Sequence, residues 1–249
     1  MPKLFLNRWN QHVVLLTKEC GYRCLGCPIQ TPDPVAKDMV SDRVTAIYDG
    51  IDTMDVSRMN EHEWVNIVGG DPCTFDQLDL VLQQLKNQRV RCWSNNMRFP
   101  VSKEIMDAVN EWVIYAPGVD QDSFFDKTGR DLFDDWVACV KRLKDQSDCV
   151  WLSYEAHPLH FYRLPEFYDI VHDTNTYGMI IYHPKDFDKE QQRYLKRFNR
   201  VNRMMGQPIP KHMIHSNYCL GVAPQLATAQ FEWREWMFLI LFSTSLPQS

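Results

Sequence analysis

The chain is 249 residues long, which allows one large α/β domain or two small ones around a sizeable buried core. Hydrophobic residues at 45% and charged ones at 24% describe an ordinary globular protein and exclude disorder, and a formal net charge of −5 speaks against a dedicated nucleic-acid surface. The opening MPKLFLNRWNQ carries neither a long apolar core nor a small-residue cleavage site, so the eight cysteines are expected as reduced thiols or metal ligands in the cytoplasm.

Taken in chain order, apolar β-rich runs recur at Val13–Thr17, Trp64–Val68, Val90–Ser94, Trp112–Tyr115, Val150–Tyr154 and Met179–Tyr182. Stretches with helical spacing fall between and after them, at Lys37–Thr53, Asp76–Asn87, Ser102–Asn110, Asp131–Lys144, Leu164–His172 and Asp188–Met205. The fourth places Leu132, Phe133, Trp136, Val137, Val140 and Leu143 on one face, as a helix covering a sheet requires. Strands alternating with helices of this length predict right-handed crossovers and a parallel sheet. The apolar tail Trp236–Phe242 is too short to cross a bilayer and reads as a last strand or a core-capping segment, so no membrane partner is expected.

Parallel α/β folds bind ligands outside the carboxyl ends of their strands, so the residues following each run are where chemistry is expected. The first run leads into Cys20, Cys24 and Cys27, spaced C-x3-C-x2-C. Three thiolates within eight residues can face one metal centre and leave a fourth position open, as in a cluster that binds a substrate or cofactor. A structural zinc site wants four ligands, often from two C-x2-C pairs, and only Cys24 and Cys27 make such a pair; incidental buried thiols are the other alternative.

The second run ends in Gly69-Gly70-Asp71-Pro72, where two glycines allow close backbone approach and Asp71 or the carbonyls can accept from an ammonium group. The third ends in Ser94-Asn95-Asn96 and the fourth in Pro117-Gly118-Val119-Asp120, with Asp122 beyond; these polar groups suit a carboxylate or ribose, and equally suit ordinary loops. Glu155, His157 and His160 follow the fifth and could line a substrate pocket, with a histidine moving a proton. His212, His215 and Cys219 could hold a second metal but lack a fourth ligand, and surface or core roles fit them better. The basic run Arg193, Lys196, Arg197, Arg200 and Arg203 reads as a solvated helix face.

The segment KEC-GYRC-LGC followed by Gly69–Pro72 resembles the radical S-adenosylmethionine (SAM) superfamily. The resemblance covers about residues 10 to 205, with its sharp motifs in two short loops. It implies an α/β fold, a (β/α)6 partial, TIM-like barrel of parallel strands over 1–205, with a short C-terminal extension over 206–249. It also implies a [4Fe–4S] cluster on Cys20, Cys24 and Cys27, and SAM held through Gly69, Gly70, Asp71 and Pro72, with Ser94, Asn96 and Asp120 further along the same edge. Glu155 and His157 are then the candidate catalytic residues. Gly26 stands where the family usually has an aromatic residue, which leaves the adenine to Tyr22 or to backbone groups. The implied activity is reductive SAM cleavage and hydrogen abstraction from a small-molecule or peptide substrate, with flavodoxin or ferredoxin as electron donor. Two other functions remain open: activation of a glycyl-radical enzyme, for which the Asp-Gly-Pro-Gly type motif is missing before Cys20, and non-catalytic metal binding.

Overall fold

The strand-forming runs are rich in β-branched and aromatic residues, and β-strand positions over 64–68, 89–94, 111–116 and 150–155 are buried almost throughout, as the strands of a parallel sheet are. The computed structural model describes residues 12–17, 19–24, 27, 64–95, 101–155, 163–181, 188–193 and 219–222. The chain divides into two compact units, 1–155 and 156–249.

In the first unit β1 (His12–Leu15), β2 (Trp64–Val68), β3 (Arg89–Ser94), β4 (Glu111–Ala116) and β5 (Val150–Glu155) pair in parallel in the order of the chain. The connecting helices are α1 (Leu78–Gln84), α2 (Lys103–Ala108), α3 (Gln121–Thr128) and α4 (Phe133–Gln146). Right-handed crossovers in a sheet whose order follows the sequence put these helices on one face. Val65, Ile67, Val90, Cys92, Trp112, Ile114, Val150 and Leu152 share a face by register, and all are buried. The core therefore lies between that face and helices such as α4, whose buried Trp136, Val140 and Leu143 recur at helical spacing.

The opposite face carries a buried polar row. Register brings Asn66 of β2, Arg91 of β3 and Glu111 of β4 side by side. The Arg91 Nε donates to Glu111 Oε2 at 2.7 Å, and its Nη1 donates to Asn66 Oδ1 at 3.3 Å. Asn66 Oδ1 also accepts from the Trp93 indole at 3.2 Å, and the guanidinium lies 4.7 Å from the Trp64 ring centroid. Burial pulls the Arg91 pKa down while the adjacent Glu111 carboxylate opposes it.

The second unit contains α5 (Leu164–Asp173), which buries Leu164, Phe167, Ile170 and Val171, and β6 (Tyr177–Ile181), which pairs antiparallel with β7 (Cys219–Val222). Among the described residues no helix is long and apolar enough to cross a membrane. The expected parallel α/β architecture is borne out, and each expected strand forms with its ends shifted by no more than a residue or two. Two elements were not anticipated, α3 and β7. Asn96, His157, His160, His212 and His215 lie outside the described residues, as do the helix expected over 37–53, the far end of that over 188–205, the 205/206 boundary and the tail 236–242.

Candidate functional site

Because β1 to β5 all run the same way, the segments that follow them meet at one edge of the sheet. The chain leaves β1 through Leu16, whose N–H donates to Val68 at 2.8 Å, and the cysteine loop is then tied to the turn after β2. Gly70 donates its N–H to the Thr17 carbonyl at 2.8 Å, and Asp71 donates to the Glu19 carbonyl at 2.7 Å. Gly69 makes this contact possible: a Cβ there would lie 2.5 Å from the Thr17 carbonyl oxygen, a rigid backbone atom. We therefore expect Gly69→Ala to push the two loops apart, costing about 1–3 kcal/mol and lowering iron uptake, measurable by urea unfolding and iron analysis. Parental stability and iron content in that variant would show that the two loops need not touch.

Asp71 is fully buried and ties three segments together. Its Oδ1 accepts from the Cys73 N–H at 3.2 Å, capping the single 3-10 turn Pro72–Thr74, and from the Ser94 hydroxyl at 2.6 Å. Thr74 closes the turn, its hydroxyl donating to the Asp71 carbonyl at 2.7 Å. Ser94, the last residue of β3, thus faces Asp71, and its neighbour Asn95 turns to the cysteines: Asn95 Nδ2 donates to Cys20 Sγ at 2.8 Å.

Cys20, Cys24 and Cys27 are all partly exposed. Within the loop the Cys27 N–H donates to the Cys24 carbonyl at 3.1 Å, and the Tyr22 N–H points at Cys20 Sγ at 3.4 Å. Burial, with the nearby Cys20 and Cys27 adding to it and Lys127 opposing, pushes the Cys24 thiol up to about 12. Burial likewise raises Cys20, with Asp71 and Cys27 adding to it. Three thiolates held this close repel one another unless a positive centre lies among them, so the donor set fits an iron–sulfur cluster. Among the described residues no three His, Cys, Asp or Glu side chains converge as ligands of a single ion. A cluster asks less convergence than zinc does, because each cysteine binds a different iron.

Tyr22 is buried, and its ring meets Phe124 of α3 edge to face at 5.6 Å. It anchors the loop to the helix layer through the Phe124, Phe133 and Trp136 ring cluster, so packing occupies the ring first considered for adenine. Asp120 caps α3, its Oδ1 accepting from the Ser123 N–H at 2.8 Å and the Ser123 hydroxyl at 2.6 Å. Gly118 lets that helix start close to β4, since a Cβ would lie 2.3 Å from the Phe124 nitrogen. Glu155, exposed at the end of β5, pairs with Lys127 at 3.6 Å.

Hydrogen bonds therefore join the cysteine loop, Gly70, Asp71, Ser94 and Asn95 into one assembly, and on the same edge Asp120 caps α3 and Glu155 pairs with Lys127. Asn95, read in the sequence with Ser94 and Asn96 as a polar group suited to a carboxylate or ribose, here reaches the Cys20 sulfur. Lys127 was not singled out from the sequence and had no signal, because α3 itself was not anticipated.

No protein-family model matches the sequence, and no curated protein does either. Solved structures do share the fold. That of Streptococcus suis SuiB bound to the precursor peptide SuiA superposes with a TM-score of 0.51 at 10% identity, over 80% of this chain and 48% of SuiB. Native anSMEcpe with bound AdoMet and Cp18Cys peptide gives 0.51 at 10% identity, over 79% and 62%. The AdoMet-bound form without that peptide gives 0.52 at 11%, over 79% and 63%. The chain thus spans about half the length of SuiB and less than two thirds of anSMEcpe. At such identity the likeness shows the fold alone, a parallel α/β sheet with helices, in keeping with the α/β class expected from the sequence.

Proposed function

We propose that this chain is a single-cluster radical SAM enzyme acting on a peptide or small-molecule substrate. The observation that carries the reading is the direct stitching of the cysteine loop to the Gly69–Pro72 turn and to the end of β3, at the carboxyl edge of a parallel sheet. Cys20, Cys24 and Cys27 would hold a [4Fe–4S] cluster. When bound, the cluster and SAM together supply a 5′-deoxyadenosyl radical that takes a hydrogen atom from the substrate.

The remaining work belongs to the chain. Gly69 and Gly70 bring backbone close enough to meet the methionyl ammonium, and Asp71 fixes that turn through Cys73 and Ser94 while adding negative charge. Ser94, Asn96 and Asp120 extend the cofactor side of the edge. Glu155, with Lys127 beside it, and His157 belong to the substrate side, where they position the reacting carbon and manage protons. A peptide substrate is favoured over a compact metabolite because structural neighbours of this fold were solved with a precursor peptide and with the Cp18Cys peptide. An electron donor such as flavodoxin or ferredoxin, a reducing cytoplasm, and a partial barrel over 1–205 carrying a 206–249 extension complete the proposal.

The test is SAM binding. Iron-loaded protein should bind SAM, and Asp71→Ala should weaken that affinity about tenfold, 1.4 kcal/mol, with unchanged iron content. Iron-loaded parent protein with no measurable SAM affinity would refute the proposal.

A further inference from the structure

We infer that Asn95 is a positioning residue that sets the reduction potential of the metal centre through Cys20. The inference rests on the radical SAM reading above. Asn95 follows β3 directly and is buried, and its Nδ2 donates to Cys20 Sγ at 2.8 Å, a short contact for a nitrogen and a sulfur. The Tyr22 N–H adds a second, longer donor at 3.4 Å to the same sulfur.

The amide is held where it is by neighbours with other tasks. Ser94, one residue earlier, is fixed on Asp71, and Asp71 is bonded to the Glu19 carbonyl next to Cys20. Sequence neighbours 94 and 95 therefore grip sequence neighbours 19 and 20 through two independent links, one through Asp71 and one to the sulfur itself. A hydrogen bond donated to a ligating thiolate withdraws charge from it and favours the more negative, reduced cluster, so it raises the potential. For a centre that must pass one electron to a bound cofactor, that setting governs how much of the protein is reduced by a given donor.

The test compares the parent with Asn95→Ala and Asn95→Asp, the latter matching asparagine in shape but lacking the donor. Iron and sulfide content are measured first, then the midpoint potential by redox titration followed by electron paramagnetic resonance. Both variants should keep the parental iron content. At a fixed potential their ratio of reduced to oxidised cluster should fall about tenfold, which is about 59 mV for one electron. Full iron content with the parental potential in both variants would overturn the inference while leaving the radical SAM reading intact. Loss of the iron from both would overturn it too, because a tuning hydrogen bond is not needed to retain three thiolate ligands. A parent protein that takes up no iron at all would overturn the underlying reading, and this inference with it.

Discussion

Replacing any one of Cys20, Cys24 or Cys27 by alanine should abolish the thiolate-to-iron charge-transfer absorption of anaerobically reconstituted protein, which in the parent should accompany about four irons per chain. The expected effect is all-or-none because the three side chains act as one unit. Cys20 and Cys27 lie close enough to Cys24 to raise its proton affinity, and a cluster left with two thiolates has two open irons exposed to solvent. Cys92 and Cys139 serve as internal controls. Cys92 lies in β3 on the apolar face of the sheet, and Cys139 lies on α4 beside the Arg142 guanidinium at 2.8 Å. Alanine at either should leave the absorption as it was. Loss of the band in the control variants, or its persistence after removal of one triad member, would remove the triad from the metal centre.

The second large effect concerns stability. Glu111→Ala should cost about 3–5 kcal/mol in urea unfolding, because it leaves the Arg91 guanidinium buried without its carboxylate. The Arg91 side chain is 0% exposed, so water cannot take the place of the missing partner without opening the sheet. The neighbours Asn66 and Trp64 offer an amide oxygen and a ring face, neither of which carries a compensating charge. Replacing both partners by apolar residues of similar volume should recover most of the loss, since the desolvation of two charges disappears along with their attraction. A Glu111→Ala variant with parental stability would mean that the row is hydrated and that its burial has been misjudged.

The sequence exposed the strands well because their signal is local. Val65 and Ile67, or Val113 and Ile114, sit in runs whose β-branched content and burial agree, and the polar residue after each run marked the edge where Cys20, Asp71 and Glu155 now stand. Helix α3 escaped because only Phe124 and Thr128 of its eight residues are buried, too few for a visible period, and because its Asp120–Ser123 capping box lacks the usual Glu or Gln. β7 reads Cys-Leu-Gly-Val, with a glycine inside it and no alternation of polar with apolar residues, so it carries no strand signal. The pairing of Arg91 with Glu111 depends on strand register across twenty residues, and no local pattern encodes that register. The same holds for Asn95. In sequence it is one of two asparagines after a serine, a composition shared with ordinary turns, and only the fold brings its amide to Cys20 while Ser94 turns to Asp71.

The site shows the same division between local and long-range information. The cysteine spacing and the double glycine are local, and they directed attention to two loops that the structure joins by hydrogen bonds. The part Gly69 plays in joining them was not local: its missing side chain makes room for the Thr17 carbonyl.

Reductive cleavage of SAM tests the central claim most directly. Anaerobically reconstituted protein supplied with dithionite and SAM should form 5′-deoxyadenosine slowly even without its substrate, and Cys24→Ala protein treated identically should form none. A parent protein that carries one zinc per chain with the triad intact, and yields no 5′-deoxyadenosine above that of the Cys24→Ala control, would contradict the account.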